Sequence, residues 1–203
     1  YIAKFSGSGQ RIWGRYNSGF ERQDLNGVTC DDSGNIYTVG SVYFTSNISG
    51  FATTGAHQGT YGGNRDGSIA KYTPSGSLIW CTYYGGSNTD YLEDVTYDHS
   101  GNVYAAGHTQ SSSNIATSGS HQGNYDGFIV KMTTNGQRIW GIYLGGTTKD
   151  EIYDIVYAAP GRLYTSGITN STSGIATSGA FQNTYGGGGE DFLFSEHDLS
   201  GNL

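Results

Sequence analysis

Four aspartates stand at matching positions in two parts of the chain, and carboxylates that meet in one site could do chemistry. Asp90 and Asp150 each lie four residues after a Gly-Gly pair, and Asp94 and Asp154 follow four residues later. Converging carboxylates can act as an acid and a base, or can bind a cation. The pattern favours a structural role, in which these four aspartates accept hydrogen bonds from loop amides, and the alternative is that they are binding residues. No catalytic residue is predicted.

A second set of acidic residues occurs in two similar turns, "DDSGN" at 31–35 and "DHSGN" at 98–102. A calcium site needs six to eight oxygen ligands and usually a distal glutamate, and no glutamate has that spacing here. We expect these aspartates to close turns on their own backbone amides. His57 and His121 share a position that Phe181 fills in the third copy, so packing is predicted there. Neither a metal nor another cofactor is predicted.

An internal repeat supplies the elements that must position these residues. Ile-Trp pairs at 12–13, 79–80 and 139–140 are 67 and 60 residues apart and follow similar segments. Two further registers, "DVTYDHSGNVYAAG" and "GSHQGNYDG" in the middle copy, recur in the same order. Self-similarity of this kind indicates a repeat architecture. The units run from about 1–67, 68–127 and 128–191, and a fourth copy starts at 192–203.

Each unit contains four strand candidates, because runs of Tyr, Val, Ile and Trp alternate with Gly-containing turns. In the middle unit the strands are predicted at 94–98, 103–108, 128–133 and 139–144. Four antiparallel strands repeated at a fixed period are typical of β-propeller blades, and a β-solenoid is the alternative. We predict an all-β fold, a partial β-propeller over residues 1–203 with about three four-stranded blades. Closed propellers have about 4–8 blades, so we expect a longer polypeptide to complete the ring.

Aromatic side chains occupy two fixed positions of the repeat. A large ring at the same place in every copy favours packing between sheets, and a sugar-stacking surface is the alternative. The residues concerned are Trp13, Trp80, Trp140, Tyr37, Tyr104 and Tyr164.

Charge and composition exclude several kinds of partner. The formal net charge is −7 and Lys and Arg are not clustered, which argues against nucleic acid as a partner. No apolar run approaches the roughly 20 residues of a membrane helix, so no membrane insertion is predicted. The low Lys content and the many Ser, Thr, Asn, Gly and Tyr residues favour an extracellular protein.

Two cysteines, Cys30 and Cys81, are too few for a disulfide framework. We expect them on the innermost and outermost strands of one blade, about 14 Å apart at the usual spacing of strands. A disulfide does not span that distance. Two free thiols are therefore predicted.

The order of these motifs resembles that of the SBBP family, the seven-bladed β-propeller repeats of bacteria. The resemblance is carried by "IWCTYYGGSNTD" at 79–90 and "DHSGNVYAAG" at 98–107, with matching residues around Trp140 and Tyr164. The first linker, "YNSGFERQ", lacks the Gly-Gly pair and the Asp, and the third hairpin, "AAPGRLY", lacks the Asp and the Asn. The resemblance implies a seven-bladed ring in a secreted or surface-attached bacterial protein, with adhesive or scaffold character and no catalytic set.

The leading functional prediction is a non-enzymatic extracellular or cell-surface module that acts as a scaffold or in adhesion. The expected partners are other surface proteins, glycans and the rest of its own longer polypeptide. Three long connections, at 41–67, 109–127 and 169–191, are where binding differences are expected. The alternative is a carbohydrate-active propeller, a lectin or a glycoside hydrolase or lyase, that uses carboxylates at the mouth of the channel.

Overall fold

Every regular element in the described part of the chain is a β-strand. The computed structural model describes residues 1–16, 22–44 and 50–203, and these residues form no helix, hence none that could span a membrane. The strands, numbered in chain order, are β1 (Ile2–Phe5), β2 (Arg11–Arg15), β3 (Arg22–Cys30), β4 (Ile36–Tyr43), β5 (Asp66–Tyr72), β6 (Leu78–Tyr84), β7 (Asp90–Tyr97), β8 (Asn102–Thr109), β9 (Asp126–Thr133), β10 (Arg138–Leu144), β11 (Asp150–Ala158), β12 (Arg162–Thr169) and β13 (Asp191–Asp198).

The strands form four antiparallel sheets, each built from strands that are consecutive in the chain. We call them the edge sheet (β1–β2), the first sheet (β3–β6), the middle sheet (β7–β10) and the third sheet (β11–β13). Within each sheet, each strand pairs with the next strand in the chain. The predicted all-β fold with antiparallel pairing is therefore confirmed.

The first strand of the middle sheet starts earlier than the sequence predicts. β7 begins at Asp90 rather than at residue 94, because Asp90 pairs with Thr109 at the end of β8. The other strands of this sheet begin only one or two residues before their predicted starts. Asp90 and Asp150 are thus the first residues of β7 and β11 instead of linker residues, and Asp94 and Asp154 lie in mid-strand.

A β-bulge interrupts β3, β7 and β11 at one shared repeat position. The pairing register shifts between Leu25 and Gly27, between Leu92 and Asp94, and between Ile152 and Asp154. A bulge leaves one residue out of the ladder and changes the direction of its side chain. The residues left out are Asn26, Glu93 and Tyr153, one from each sheet.

Three apolar cores lie between neighbouring sheets. In β8, Val103 and Ala105 belong to the core shared with the first sheet, whereas Tyr104 and Ala106 belong to the core shared with the third sheet. A further core joins the edge sheet to the first sheet. Successive side chains of a strand point to opposite faces, so the alternate residues of β8 serve two cores. The middle sheet is therefore covered on both faces, which explains its nearly continuous apolar strands.

The first strands of successive sheets lie side by side. The Asn26 side-chain amide in β3 donates to the Leu92 carbonyl in β7 over 3.0 Å. The backbone N–H of Ile155 in β11 donates to Asp94 Oδ2 over 3.1 Å. Gly27 packs so closely that a β-carbon there would stand 2.7 Å from the Asp94 Cα, which only glycine permits. This arrangement brings the predicted aspartates of two repeat units together.

A tryptophan at one repeat position connects each sheet to the next. The Trp80 indole N–H donates to the Thr134 carbonyl over 3.1 Å, and its ring lies against Gly136, whose φ is 82°. A positive φ suits glycine, and the missing β-carbon leaves room for the ring. Trp13 and Trp140 make the same contact with the carbonyls of Pro74 and Leu199. The predicted packing role of the tryptophans is confirmed.

The cysteines are free thiols, as predicted. Cys30 ends β3, the first strand of the first sheet, and Cys81 lies in β6, the fourth strand of that sheet. Cys81 stands in the middle of β6 rather than at its start, because the strand begins at Leu78.

Two of the predicted connections lie partly outside the described residues. The linker at 16–23 includes residues 17–21, and the long connection at 41–67 includes residues 45–49. In the described part of that connection, β4 continues to Tyr43 and β5 begins at Asp66, so both its ends belong to strands. The connections after β8 and β12 run from 110 to 125 and from 170 to 190.

Candidate functional site

Asp90 and Asp150 are fully buried and bind groups of their own chain. Asp90 accepts hydrogen bonds from the Gly86 N–H over 2.7 Å, from the Ser111 hydroxyl over 2.9 Å and from the Thr109 hydroxyl. Asp150 accepts the same three bonds from Gly146, Ser171 and Thr169. Both oxygens of each carboxylate have partners, so these contacts are those of a cap on loop groups.

A further aspartate position, which the sequence analysis does not single out, stands beside these caps. Asp66 opens β5 and accepts the backbone N–H groups of Gly62 and Gly63 and the side-chain amide of Gln58. A β-carbon on Gly85 would lie 2.7 Å from Asp90 Oδ2 and 2.8 Å from Asp66 Oδ1, so the Gly-Gly motif separates two carboxylates. Burial raises the pKa of Asp66 to about 7. Aspartate recurs at this position as Asp126 and Asp191, and this recurrence is the feature of the sequence that could have identified it.

Asp94 and Asp154 are the predicted site residues that the structure brings together. They lie on adjacent first strands, and burial, with a hydrogen bond to the Asp154 carboxyl as the next cause, raises the pKa of Asp94 to about 6. A second carboxyl group close by raises the pKa of a carboxyl group, because two like charges repel. The pair therefore joins the middle and third sheets, whereas Asp90 and Asp150 belong to separate caps.

A second group, absent from the predicted site residues, lies near the start of the same strands. We call it the His108 cluster: Glu93, His108, Lys149, Glu151 and Tyr153. His108 Nδ1 is 3.9 Å from Glu93 Oε1, and His108 Nε2 is 3.9 Å from Glu151 Oε1. Two glutamates from neighbouring sheets thus lie near the two nitrogens of one imidazole.

The polar groups of the His108 cluster already partner one another. The Tyr153 hydroxyl donates to Glu151 Oε2, and Lys149 Nζ lies 3.2 Å from the same oxygen. The Asn26 amide donates to Glu93 Oε2 over 2.9 Å. The negative charges are therefore partly compensated within the cluster.

Burial sets the protonation of the cluster at neutral pH. It lowers the pKa of His108 to about 4, although the Glu151 carboxylate acts in the opposite direction. The imidazole is therefore neutral at pH 7. Burial also raises the pKa of Glu93, and the nearby Glu151 carboxylate adds to this effect. Glu93 is accordingly a weaker acid than an exposed glutamate.

Three tyrosine rings surround the imidazole. Tyr91 stacks on His108 with ring centroids 4.7 Å apart, and Tyr125 meets it edge to face at 5.5 Å. Tyr153 lies 6.2 Å away at a right angle and is 44% exposed. The Arg65 guanidinium carbon lies 4.8 Å from the centroid of the Tyr91 ring. The cluster thus combines buried aromatic packing with an accessible tyrosine.

The acidic turns have the geometry that the sequence predicts. Asp98 accepts the N–H groups of Ser100 over 2.8 Å and Asn102 over 2.9 Å, and Asp31 does the same in its own turn. Burial acts to raise the pKa of Asp98, but these hydrogen bonds and one from the Asn102 side chain lower it. In the part of the chain that the structure describes, no three His, Cys, Asp or Glu residues are grouped to hold a metal ion.

The two repeated histidines pack against aromatic rings. His57 stacks on Tyr84 at 5.7 Å, and His121 meets Tyr143 edge to face at 5.8 Å. Phe181 at the equivalent place is fully exposed, and in the described residues the third sheet has three strands. Gln58 bonds backbone in the long connection, donating to the Thr60 carbonyl and accepting the Gly85 N–H.

Comparison of the sequence with protein-family models and with curated proteins finds no match in either set. The resemblance to the SBBP repeats therefore depends on the motifs alone. What the fold and the site establish is an all-β protein of antiparallel sheets with two polar groups, the Asp94–Asp154 pair and the His108 cluster, between the middle and third sheets.

Proposed function

We propose that the chain is part of a β-propeller of the SBBP type and serves, without catalysis, as a scaffold or adhesion module outside the bacterial cell. The supporting observation is the order of the sheets: consecutive strands form each sheet, and first strand lies beside first strand from one sheet to the next. Blades around a central channel have this order. A solenoid of short coils would not build separate four-stranded sheets.

The contacts between sheets suit a rigid support. Each tryptophan of the repeat reaches the turn of the next sheet, and each apolar core is shared by two sheets. A rigid framework of this kind leaves the connections after β4, β8 and β12 to differ in sequence and in binding. The expected partners are glycans or surface proteins, and further blades of the same polypeptide would complete a ring of seven.

The geometry of the two carboxylate pairs supports binding over hydrolysis. Glycosidases hold their two carboxyl groups about 5–10 Å apart with the scissile bond between them. Asp94 and Asp154 are in hydrogen-bond contact, which leaves no such space. Glu93 and Glu151 each lie 3.9 Å from a nitrogen of the buried His108 ring, so an imidazole stands beside both carboxyl groups, where a glycosidase needs room for its substrate. A lectin is therefore the form of the carbohydrate-active alternative that fits this site.

A combined binding and turnover experiment tests the proposal. The intact protein is applied to an array of glycans and bacterial surface proteins, and the same preparation is incubated with polysaccharides while reducing ends are measured. We expect retention of at least one ligand class without turnover. Hydrolysis that Glu93→Gln or Asp154→Asn abolishes, and that Glu196→Gln leaves unchanged, would overturn the non-enzymatic proposal.

A further inference from the structure

We propose that the His108 cluster binds a neutral glycan. This inference rests on the proposed binding role and names the ligand class that the chain would recognise. It concerns Glu93, His108, Lys149, Glu151 and Tyr153, which come from strands β7, β8 and β11 and from the segment before β11.

The repeats of the chain serve as an internal comparison of positions. Positions that recur, such as those of Asp90 and Trp80, hold loops and neighbouring sheets in place. The bulge position, in contrast, differs in every sheet: Asn26, Glu93 and Tyr153. The position two residues before the bulge also differs: Asp24, Tyr91 and Glu151. The residue that follows the glycine in the second strand of each sheet differs as well: Ser41, His108 and Ile168. Among the described residues, no contact common to all the sheets requires one residue type at these positions, so their residues are free to serve a ligand.

The structure places these variable positions in one region. Glu93 and Glu151 contact the two sides of the His108 ring at 3.9 Å, and Tyr153 donates its hydroxyl to Glu151. Lys149 completes the group at 3.2 Å from Glu151. Chance variation on the surface of a repeat protein would be spread over the sheets. Here the polar variable residues of two sheets converge on a single imidazole.

An incomplete hydrogen-bond set at the centre points to a ligand. The His108 side chain is 8% exposed, and its Nδ1 has no hydrogen-bond partner among the described residues. Buried polar atoms are normally hydrogen-bonded, and an unpaired one costs stability. Glu93 Oε1 faces this nitrogen at 3.9 Å, beyond hydrogen-bond distance. In the tautomer that carries the proton on Nδ1, a ligand hydroxyl beside Glu93 accepts from that N–H and donates to the Glu93 carboxylate.

The chemistry of the cluster favours a neutral polyhydroxyl ligand over a charged one. Glu151 is already paired with Lys149 and Tyr153, so no uncompensated charge at that residue calls for a cation. A second acid, Glu190, lies 3.1 Å from Lys149, and its charge disfavours an anion. Alternating donors and acceptors match the hydroxyl groups of a sugar. The exposed ring of Tyr153 provides an apolar face for the C–H side of the sugar ring.

The test uses the intact chain, a glycan array and calorimetric titration of the neutral oligosaccharide that gives the strongest signal. Tyr153→Ala removes the stacking ring, and Glu93→Gln removes the acceptor charge beside His108. The matched controls are Tyr43→Ala, whose side chain has the same 44% exposure on β4, and Glu196→Gln on β13. Circular dichroism and the thermal midpoint show that each variant is folded.

We expect Tyr153→Ala and Glu93→Gln to weaken binding about tenfold or more, and the controls to stay within about twofold of the unchanged protein. Equal binding by Tyr153→Ala and the unchanged protein would overturn the inference. So would retention of anionic or amine ligands alone, although the proposed binding function would survive in that case. If the unchanged protein retains neither glycans nor surface proteins, the proposed function fails as well.

Discussion

At the residue scale, one side-chain type serves three purposes within a single repeat unit. Asp90 is buried and accepts bonds from loop groups, Asp94 shares a contact with another carboxyl, and Asp98 closes a turn. The environment decides the chemistry, since burial raises the pKa of Asp94 while turn hydrogen bonds lower that of Asp98. Carboxylates at matched spacing are therefore not equivalent, and only Asp94 meets a carboxyl from the next sheet.

Replacement of Asp94 by asparagine is expected to change how stability depends on pH. Because the folded-state pKa of Asp94 is raised to about 6, its contribution is present below its ordinary value and is lost as pH rises through 6. The side-chain amide that replaces the carboxyl stays neutral at every pH. Relative to the unchanged protein, the Asp94→Asn variant should gain about 1–2 kcal/mol between pH 4 and pH 7, discounted for partial exposure.

Urea unfolding at several pH values measures this difference. His108 acts in the opposite direction over a similar range, because its folded-state pKa is lowered to about 4, so its contribution grows from pH 4 to 6.5. Both proteins contain His108, so the difference between their free energies of unfolding at each pH does not include its contribution. A constant difference between pH 4 and pH 7 would contradict the raised pKa of Asp94.

At the element scale, the tryptophan contact shows how turn geometry and sheet packing depend on each other. Gly136 is needed twice, once for a φ of 82° in the β9–β10 turn and once because a β-carbon would stand 3.0 Å from the Trp80 ring. The contact also places Lys71, which donates to the same Thr134 carbonyl over 3.1 Å. A hairpin turn of one sheet is thus part of the interface with the sheet before it.

Replacement of Trp80 by alanine should weaken the contact between the first and middle sheets. Loss of the buried part of the ring and of its hydrogen bond is expected to lower the free energy of unfolding by about 2–4 kcal/mol. The control is Ile79→Ala, whose side chain is 45% exposed on the adjacent position of β6 and should cost less than about 1 kcal/mol. Chemical denaturation measures both, and equal losses would argue against a specific contact between the sheets.

At the scale of the whole molecule, each sheet is stabilised by its neighbours. The middle sheet has one core on each face, and the core between the edge sheet and the first sheet includes Cys81. Stability in such an array depends on the interfaces between adjacent units. The side chain of Cys81 is 4% exposed, so it becomes accessible when this core opens, either between the edge sheet and the first sheet or at the segment 50–53 that bonds to Cys81.

Thiol labelling reports this opening. Burial raises the pKa of Cys81 to about 12, so it is a poor nucleophile in the folded protein, whereas Cys30 is exposed. With a chromogenic disulfide at pH 8, we expect prompt reaction of one thiol and slow reaction of the second, and prompt reaction of both in urea. Cys81→Ser should remove only the slow phase. Prompt labelling of both thiols in the native protein would contradict the burial of Cys81 in this core.

The strands and turns were largely predictable, and the reason is local. Asn102 and Gly101 specify a hairpin through their own turn, and the recurring Trp80 position marks the fourth strand wherever it occurs. The start of β7 was predicted four residues late, because the Gly-Gly pair and the polar residues after it are typical of a loop. The pairing of Asp90 with Thr109, 19 residues away, is what extends the strand.

The candidate site was predictable only in part. The repeat spacing identified Asp94 and Asp154, and the structure brings these two together across a sheet boundary. The His108 cluster was not identified, because its members differ from one repeat to the next and therefore form no motif. The sequence marks these residues only as positions that differ between the repeats. Those positions indicate one site only once the first strands of neighbouring sheets are known to lie side by side.

The sequence by itself determined the repeat, the antiparallel hairpins, the turn aspartates and the free thiols, since these depend on residues close in the chain or on strand order within one sheet. Only the tertiary structure decided which side chains meet between sheets. His108 and Glu151 are 43 positions apart, and a bulge and the packing of two sheets bring them within 3.9 Å. Such contacts depend on how whole sheets are placed, which residue spacing along one strand does not specify.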